Sequence, residues 1–307
     1  MSYGSNAYRR LMLSAASSAP VRGFMLRRGR RLALRFVASE TREALWPRIR
    51  ELDHQGILAA IDHLGETIVH IEDAPPCREE YVQLSKEMDI EGIPSHLSMK
   101  PTQLGLLLDP EACYHHILAV VKQAAASQQF VCLDMENSLV TDATLSIVRK
   151  LHNDGFRNVG TVIQAYLHRS REDVEQCLRD GISLRLVKGA YNEPAAIAYQ
   201  SQSAILKNFN ALIRMHLEQG AYVAVATHDD AVIRSVKQYA TEHDINKSAF
   251  EFQMLYGLRM KEQQKLAEEG YRIRCYVPYG TMWYPYYTRR LAEKPSHLWL
   301  VIKNMLG

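Results

Sequence analysis

A chain of 307 residues is long for an ordinary single domain but normal for one α/β barrel. Hydrophobic residues make up 47% of it and charged residues 23%, which is typical of a globular protein that buries a sizeable core. The formal net charge of +3 is too small to indicate a nucleic-acid partner, and no apolar run reaches the roughly 18 residues that a transmembrane helix needs.

The N-terminal segment is strongly basic. Eight arginines and no acidic residue precede Glu40, and four of these arginines lie within residues 27–31. Three interpretations fit this composition: a mitochondrial transit peptide, a basic amphipathic arm on anionic lipid, or N-terminal helices with solvated arginines. We take residues 1–50 as a basic helical arm and residues 51–307 as one catalytic barrel domain. We expect the part up to Glu40 to add membrane affinity and no chemistry.

From about Ile57 onward, short apolar or β-branched runs alternate with longer stretches of helical spacing. Strands that alternate with helices indicate parallel βαβ units, and eight such units indicate closure into a (βα)8 barrel. An open, doubly wound sheet of eight strands is the alternative. The predicted strands are Ile57–His63, Ile93–Met99, Phe130–Asp134, Val159–Tyr166, Ser183–Lys188, Tyr222–Thr227, Phe250–Met254 and Tyr271–Val277.

The stretches between the strands carry apolar residues at helical spacing. In Pro110–Ala126, for example, Ile117, Val120 and Val121 share one stripe. We treat residues 73–94 as a linker, because no motif anchors them. The other predicted helices between strands are Thr141–Asn153, Glu193–Gln219, Asp230–His243 and Met260–Glu269.

Polar and charged residues follow almost every predicted strand. Barrel enzymes place their catalytic groups at the carboxyl ends of the strands, where a purely structural barrel needs no such residues. The pattern therefore indicates a site at the barrel mouth. The residues at these ends include Asp62, His63, Lys100, Asp134, Glu136, Gln164, Arg185, Lys188, Thr227, His228, Glu251, Gln253 and Tyr276.

The segment after the eighth strand combines arginines with aromatic residues such as Tyr286. Read as a helix, it places Glu293 three residues from Arg290 and four from Arg289, so that one carboxylate can brace both guanidiniums. Adjacent arginines beside aromatic rings suit a planar carboxylate, which a guanidinium binds through two hydrogen bonds. The alternative is a solvated helix face with an ordinary ion pair.

Lys188 ends the fifth predicted strand and precedes Gly189. A lysine there suits a Schiff-base nucleophile or a phosphate ligand, and the glycine permits close backbone approach to a ligand. Asp134 and Glu136 share one strand parity, which suits acid–base or metal chemistry. No HExxH motif or matching set of histidines accompanies them, so we expect no catalytic metal. GxGxxG and Walker A loops are absent as well, so a bound flavin needs another binding mode.

Six runs of residues together resemble the proline dehydrogenase family, and the ordered set covers roughly residues 56–307. It is similar to the bacterial monofunctional form, which implies a distorted (βα)8 barrel with FAD held non-covalently at its mouth and the last helix over that mouth. It also implies oxidation of L-proline to Δ1-pyrroline-5-carboxylate by hydride transfer from C5 to the flavin N5, with electrons passed to a membrane quinone. The runs are Asp134–Glu136, Gln164–Tyr166, Arg185–Tyr191, Ala226–Asp229, Phe250–Gly257 and Tyr276–Glu293.

The resemblance also implies how the substrate is bound. Lys100, Arg289 and Arg290 would hold its carboxylate, and the surplus positive charge needs counter-charges, which Glu293 and Asp134 would supply. Other implied substrate contacts are Tyr276, an aromatic wall, and Tyr286.

The flavin contacts follow from the same resemblance. Arg185 would lie near the flavin N5 and stabilise the negative charge that grows on reduction, and Asp134 would lie beside the substrate. These two residues are the expected catalytic pair. The implied flavin-lining residues are Met135, Gln164, Arg185, Lys188, Gly189, Ala190, Tyr191, Thr227, His228 and Gln253.

Five widely spaced cysteines, none in a CxxC pair, indicate reduced thiols and a reducing compartment. We expect a cytoplasmic location, peripheral on the inner face of the membrane, or the mitochondrial matrix in a eukaryote. The expected partners are L-proline, a membrane quinone and the membrane surface, and no nucleic acid. The cysteines are Cys77, Cys113, Cys132, Cys177 and Cys275.

Two rival functions stay open on the residues alone. The first is a Schiff-base aldolase on the same barrel, with Lys188 as its nucleophile. The second is a non-catalytic adaptor that binds a membrane or nucleic acid through the basic arm, without a cofactor and with strong salt dependence.

Overall fold

The computed structural model describes residues 34–293 and, upstream of them, Ser18 and Gly23. For Arg289 and residues 291–293 it describes the backbone only. Most of the basic arm therefore lies outside the described residues, as do residues 294–307. Within the described part, no helix has both the length and the apolar character that crossing a membrane requires.

Eight parallel strands form the centre of the fold. They are β1 (Leu58–His63), β2 (Ser95–Met99), β3 (Phe130–Leu133), β4 (Val159–Gln164), β5 (Leu184–Val187), β6 (Val223–Ala226), β7 (Phe250–Leu255) and β8 (Arg272–Tyr279). Each strand pairs with the next along the chain and β8 pairs with β1, so the sheet is a closed barrel. The (βα)8 prediction is confirmed, with all eight strands close to their predicted positions, and the doubly wound alternative is wrong.

Helices precede, connect and follow the strands. They are α1 (Arg42–His54), α2 (Ala74–Glu91), α3 (Pro110–Ala126), α4 (Thr141–Asn153), α5 (Ser170–Arg179), α6 (Gln202–Glu218), α7 (Asp230–Glu242), α8 (Met260–Glu268) and α9 (Trp283–Glu293). Side-chain caps fix several first turns, since Asp109 accepts the N–H groups of Glu111 and Ala112, and Asp229 accepts that of Ala231. These caps stop each connecting loop at a defined residue beyond the barrel mouth.

The helix before β6 is shorter than predicted. α6 begins at Gln202 and not at Glu193, because Ser201 caps it by accepting the N–H of Ala204. The residues from Glu193 to Ser201 form a loop instead. In that loop, the Glu193 carboxylate accepts hydrogen bonds from the backbone N–H and the hydroxyl of Ser138, at 2.7 and 2.8 Å. The loop is thereby tied to the segment that follows β3.

A helix also occupies the region treated as a linker. α2 has prolines in its first turn, which a helix tolerates there because its first N–H groups have no intrahelical partner. Its buried face is formed by Tyr81, Leu84, Ser85 and Met88, at the spacing of one helix stripe. The Tyr81 hydroxyl donates to the carbonyl of Ser98 at 3.1 Å, so α2 supports the end of β2.

The segment before α1 is built into the barrel. Residues 36–39 are buried. The N–H of Ala38 donates to the carbonyl of Pro278, and the N–H of Gly280 donates to that of Ser39, each at 2.9 Å, so the segment runs beside the end of β8. α1 itself crosses the domain boundary expected at residue 50. Residues 36–39 thus pack on the barrel, and the domain boundary at residue 50 stays a prediction.

Candidate active site

The inside of the barrel contains charged side chains, where such barrels normally have layers of branched apolar residues. These side chains hydrogen-bond one another within the barrel and form two groups. The mouth cluster, towards the carboxyl ends of the strands, comprises Asp62, Lys100, Asp134, Arg185 and Tyr276. The lower pair, nearer the strand starts, comprises Glu251 and Arg274.

Asp134 is the centre of the mouth cluster. Its Oδ1 accepts hydrogen bonds from Ser98 Oγ and Arg185 Nη1, each at 2.7 Å, and its Oδ2 accepts one from the Tyr276 hydroxyl at 2.7 Å. The predicted catalytic pair is therefore in direct contact, and Tyr276 joins it from the opposite side of the barrel. Burial, with the charge of Asp134, raises the pKa of Tyr276 well above its ordinary value, so the hydroxyl remains a donor.

Arg185 uses one edge of its guanidinium within the protein. Its Nη1 donates to Asp134 and, at 3.0 Å, to Ser98 Oγ. Its Nε and Nη2, on the opposite edge, are buried and have no hydrogen-bond partner among the described residues. Burial works to lower the pKa of Arg185, but Cys132 and Asp134 outweigh it and raise that pKa, so the group stays charged. Because an unsatisfied buried donor is costly, this edge is suited to bind a ligand.

Lys100 is held by Asp62, a residue that the sequence interpretation did not assign to the site. Its Nζ donates to Oδ1 and Oδ2 of the fully buried Asp62, at 2.7 and 2.9 Å. Burial would lower the pKa of Lys100, but Asp62 and Asp134 outweigh it and raise that pKa. The counter-charge expected from Asp134 is thus supplied mainly by Asp62, since Asp134 forms its ion pair with Arg185. An ammonium group has three hydrogens, so one remains for a ligand.

The predicted flavin contacts on the β4 and β5 side form a close backbone junction. Gln164 donates from Nε2 to the carbonyl of Glu136 at 2.7 Å, and its Oε1 accepts the N–H of Ala190 at 3.4 Å. Gly189 has a φ of +116°, and a Cβ there would lie 2.2 Å from the ring of Tyr166. Only glycine fits this position, so the backbone after β5 is free of side-chain bulk where it approaches the mouth.

The predicted flavin contacts near β6 are held by polar partners. Lys188 Nζ donates to Asp229 Oδ2 at 2.7 Å, and His228 Nε2 accepts the N–H of Leu255 at 3.0 Å. Thr227 is buried at the end of β6. The ion pair of Lys188 does not favour the aldolase alternative, because Schiff-base lysines are typically activated by an apolar pocket or a neighbouring cation.

The remaining predicted flavin contacts differ in position. Met135 is buried directly after Asp134, and Tyr191 is half-buried in the loop after β5. Gln253 lies nearer the lower pair, and its Nε2 donates to Glu251 Oε1 at 2.5 Å. Its predicted contact with a flavin stays a prediction.

Helix α9 carries the arginines that are expected to bind a carboxylate. It packs on the mouth end of the barrel, where Tyr286 clusters with Leu64, the residue that follows β1. The Arg290 guanidinium carbon lies 5.3 Å from the centre of the Tyr286 ring. The side chains of Arg289 and Glu293 lie outside the described part, so their bracing interaction stays a prediction.

Asp134 and Glu136 do not form an acid–base pair. Whereas Asp134 binds Arg185, the Glu136 carboxylate accepts hydrogen bonds from the N–H and the hydroxyl of Thr102, at 3.2 and 2.8 Å. Glu136 therefore fixes the turn that follows Lys100. Among the described residues, no group of three histidine, cysteine, aspartate or glutamate side chains is arranged to hold a metal ion.

The lower pair is complete within the protein. Arg274 donates from Nε and Nη2 to the two oxygens of Glu251, at 2.9 and 3.0 Å, and from Nη1 to the carbonyl of Ala59 at 2.9 Å. Burial would raise the pKa of Glu251, but Arg274 outweighs it and lowers the pKa to about 2. A cavity of about 730 Å³ adjoins the pair at the amino ends of the strands, with His96 and Tyr222 in its wall.

Sequence comparison identifies close relatives of known activity. A family model described as proline dehydrogenase matches residues 45–298. Proline dehydrogenase 1 of Bacillus subtilis (strain 168) is 42% identical over 274 residues, which cover 89% of this chain and 90% of that protein. The proline dehydrogenase of Deinococcus radiodurans is 37% identical over 303 residues, which cover 97% and 98% of the two chains.

Solved structures have the same fold. Proline utilization A from Bdellovibrio bacteriovorus, inactivated by N-propargylglycine, superposes with a TM-score of 0.79 at 25% identity, over 84% of this chain and 32% of that longer one. A variant of proline utilization A from Bradyrhizobium japonicum gives a TM-score of 0.74 at 20% identity, over 86% and 31%, which is a likeness of fold alone. The family match over residues 45–298 and the identity to two bacterial proline dehydrogenases show that this chain belongs to the proline dehydrogenase family and is an oxidoreductase that acts on proline.

Proposed function

We propose that the mouth cluster oxidises L-proline to Δ1-pyrroline-5-carboxylate with FAD as a non-covalently bound cofactor. The observation that carries this proposal is the guanidinium of Arg185, whose Nε and Nη2 are buried without a partner in the part of the chain that the structure describes. This edge can donate two parallel hydrogen bonds to the acceptor atoms of a flavin ring. The positive charge of Arg185 would then stabilise the negative charge that reduction adds to the ring.

The residues around the mouth fit a flavin. The Tyr166 ring packs directly on the backbone of Gly189, and Thr227, His228 and Gln164 lie at the same end of the barrel. Lys188 offers a cation to a phosphate group, balanced by Asp229. When bound, FAD supplies the acceptor, at its N5 atom, for a hydride from proline C5.

The substrate carboxylate would be bound by the third hydrogen of Lys100 together with Arg290 and Arg289. The ion pairs Lys100–Asp62 and Arg185–Asp134 add up to no net charge. The positive charge that attracts the carboxylate therefore has to come from α9. The substrate amine must lose a proton before hydride transfer, and the Asp134 carboxylate already accepts three hydrogen bonds from the protein. We expect solvent to take that proton.

We further propose that electrons pass to a membrane quinone, that the enzyme is cytoplasmic, and that it contacts the membrane peripherally through the basic arm. The support is the run of eight arginines before Glu40. Each arginine near an anionic surface is worth about 1 kcal/mol, so binding should be strong and sensitive to salt. Deletion of residues 1–33 should weaken sedimentation with anionic vesicles at low salt and leave turnover with an artificial electron acceptor intact. Equal vesicle binding by the two forms would remove the arm from the proposal.

The cofactor proposal is tested by the spectrum of the purified protein. It should be yellow, and denaturation should release FAD, which chromatography separates from FMN. A colourless protein that does not take up added FAD would contradict the proposal.

The substrate-binding proposal is tested by Arg290→Met and Arg289→Met. Each should lower kcat/KM for proline by about 2–4 kcal/mol, chiefly through KM, because the substrate carboxylate loses an ionic partner. An unchanged KM in both variants would indicate that Arg289 and Arg290 lie on an ordinary solvated face of α9 and do not bind the substrate.

A further inference from the structure

A short segment before α1, which we call the strap (residues 35–39), lies beside the helix that carries the substrate-binding arginines. Its backbone continues the hydrogen bonding of β8, from Ala38 N–H to the Pro278 carbonyl at 2.9 Å. Phe36 is 2% exposed and Val37 is fully buried. The strap is therefore fixed to the barrel on one side and has an apolar surface for another element.

That other element is α9. Phe36 and Val37 belong to a small apolar cluster, separate from the main core, in which most other members come from α9. The rings of Phe36 and Tyr287 lie 5.9 Å apart at 54°. Tyr287 is fully buried, two residues before Arg289 in the chain.

A glycine after β7 fixes the path of the strap. Gly257 has a φ of +73°, and a Cβ there would lie 1.5 Å from the carbonyl oxygen of Arg35. The strap backbone thus occupies the space that a side chain at residue 257 would need. Gly220 has a similar φ of +67°, yet no described residue would lie within 4 Å of a Cβ at that position.

We propose that the strap positions α9, and with it Arg289 and Arg290, for binding the substrate carboxylate. The inference rests on the substrate role proposed above for these arginines. The strap contacts neither cofactor nor substrate in this role, so Phe36 and Gly257 are positioning residues. A displaced strap would tilt or loosen α9 and weaken binding of the carboxylate, while the mouth cluster inside the barrel keeps its geometry.

The test uses the full chain with its bound flavin and compares two variants that disturb the strap in different ways. Phe36→Ala removes the ring that packs on α9, and Gly257→Ala pushes the Arg35 carbonyl away without removing an apolar contact. Each should raise KM for L-proline by roughly 10-fold to 100-fold, as misplacement of a positioning element does, with a much smaller change in kcat. The Kd of tetrahydrofuran-2-carboxylate, which keeps the ring and carboxylate but lacks the amine, should rise in parallel.

Matched controls separate positioning from general destabilisation. Gly220→Ala introduces the same backbone strain without a clash, and Phe209→Ala removes a fully buried ring from α6 in the main core. Both should keep the wild-type KM for L-proline. Phe36→Leu, which keeps an apolar side chain against α9, should have a KM much closer to the wild-type value than that of Phe36→Ala. If Phe36→Ala does not fold, the KM values of Gly257→Ala and Phe36→Leu still test the proposal.

Two outcomes would overturn the proposal. The proposal fails if Gly257→Ala has the same KM as Gly220→Ala. It also fails if Phe36→Ala has the same KM as Phe209→Ala and the same Kd for tetrahydrofuran-2-carboxylate. If Arg290→Met raises KM in the same assays, the strap proposal alone fails. If Arg289→Met and Arg290→Met also leave KM unchanged, the proposed role of α9 in substrate binding fails with it.

Discussion

The two buried arginine–carboxylate pairs inside the barrel differ in how completely the protein satisfies them. Both arginines are 6% exposed, so burial does not distinguish Arg185 from Arg274. Arg274 engages all three of its guanidinium nitrogens with Glu251 and a backbone carbonyl. Arg185 engages one nitrogen, and its other two have no partner within the described residues.

This difference assigns different roles to two groups of similar composition. When all hydrogen bonds of a buried ion pair are made within the protein, binding to a ligand would break one of them, so such a pair stabilises the fold. A buried pair with unused donors is stable only if something else satisfies them, so it serves binding. We therefore propose that the lower pair is structural and that the mouth cluster is the site.

Breaking the lower pair should have the largest effect on stability. Arg274→Met leaves the Glu251 carboxylate buried and unpaired, which should lower the free energy of unfolding by about 3–5 kcal/mol. Urea unfolding followed by circular dichroism measures this loss, and the folded enzyme should keep its kcat/KM for proline. Replacing both partners by methionine should recover much of the stability. A large fall in kcat/KM at unchanged stability would move the lower pair into the site.

Low pH should weaken the same ion pair and so lower the free energy of unfolding. The pKa of Glu251 is lowered from 4.5 to about 2 in the folded state, so its stabilising contribution is complete above pH 4.5 and is lost as the pH falls towards 2. The loss should amount to about 3 kcal/mol in the wild type. In Glu251→Gln, the free energy of unfolding should depend less on pH in this window. Burial raises the pKa of Asp62 above 3.8, so this group changes the stability only above that pH and with the opposite sign. Asp62→Asn, at the mouth, should therefore keep the wild-type loss of stability between pH 3.8 and 2.

Substrate selectivity should show the smallest effect. Tyr276 borders the mouth cluster, and its ring denies space to a hydroxyl group on the substrate ring. We expect a preference for proline over 4-hydroxyproline of roughly 10–200-fold in kcat/KM. Tyr276→Ser should narrow that ratio, chiefly by loss of proline activity, because it opens a cavity beside the smaller substrate. Equal kcat/KM of the wild type for both substrates would show that the Tyr276 ring does not set a preference for proline.

Much of the fold could be predicted because β-branched runs and helical stripes are local features. The eight strands were visible in this way. α2 was hidden by the prolines of its first turn, although Tyr81, Leu84 and Met88 already had helical spacing. α6 was predicted too long because residues 193–201 contain no glycine, and the cap of Ser201 could equally have been a polar position inside the helix.

The site was predictable in its residue types but not in its pairing. Polar residues at strand ends pointed to Lys100, Asp134, Arg185 and Tyr276. Asp62 was noticed at a strand end and given no role, since its partner Lys100 is 38 residues away and only the register of β1 and β2 brings them together. The lone acid at the end of an apolar strand was the available indication.

Whether the edge of Arg185 formed by Nε and Nη2 serves chemistry can be measured with Arg185→Lys. Lysine keeps the positive charge beside Asp134 but lacks the planar edge formed by Nε and Nη2. The measurement is the rate at which saturating L-proline bleaches the bound flavin without oxygen, in variant and wild type. We predict a rate roughly 100-fold to 1,000-fold lower in the folded, flavin-bound variant. Bleaching at the wild-type rate would show that this edge of Arg185 is not needed for reduction of the flavin by proline.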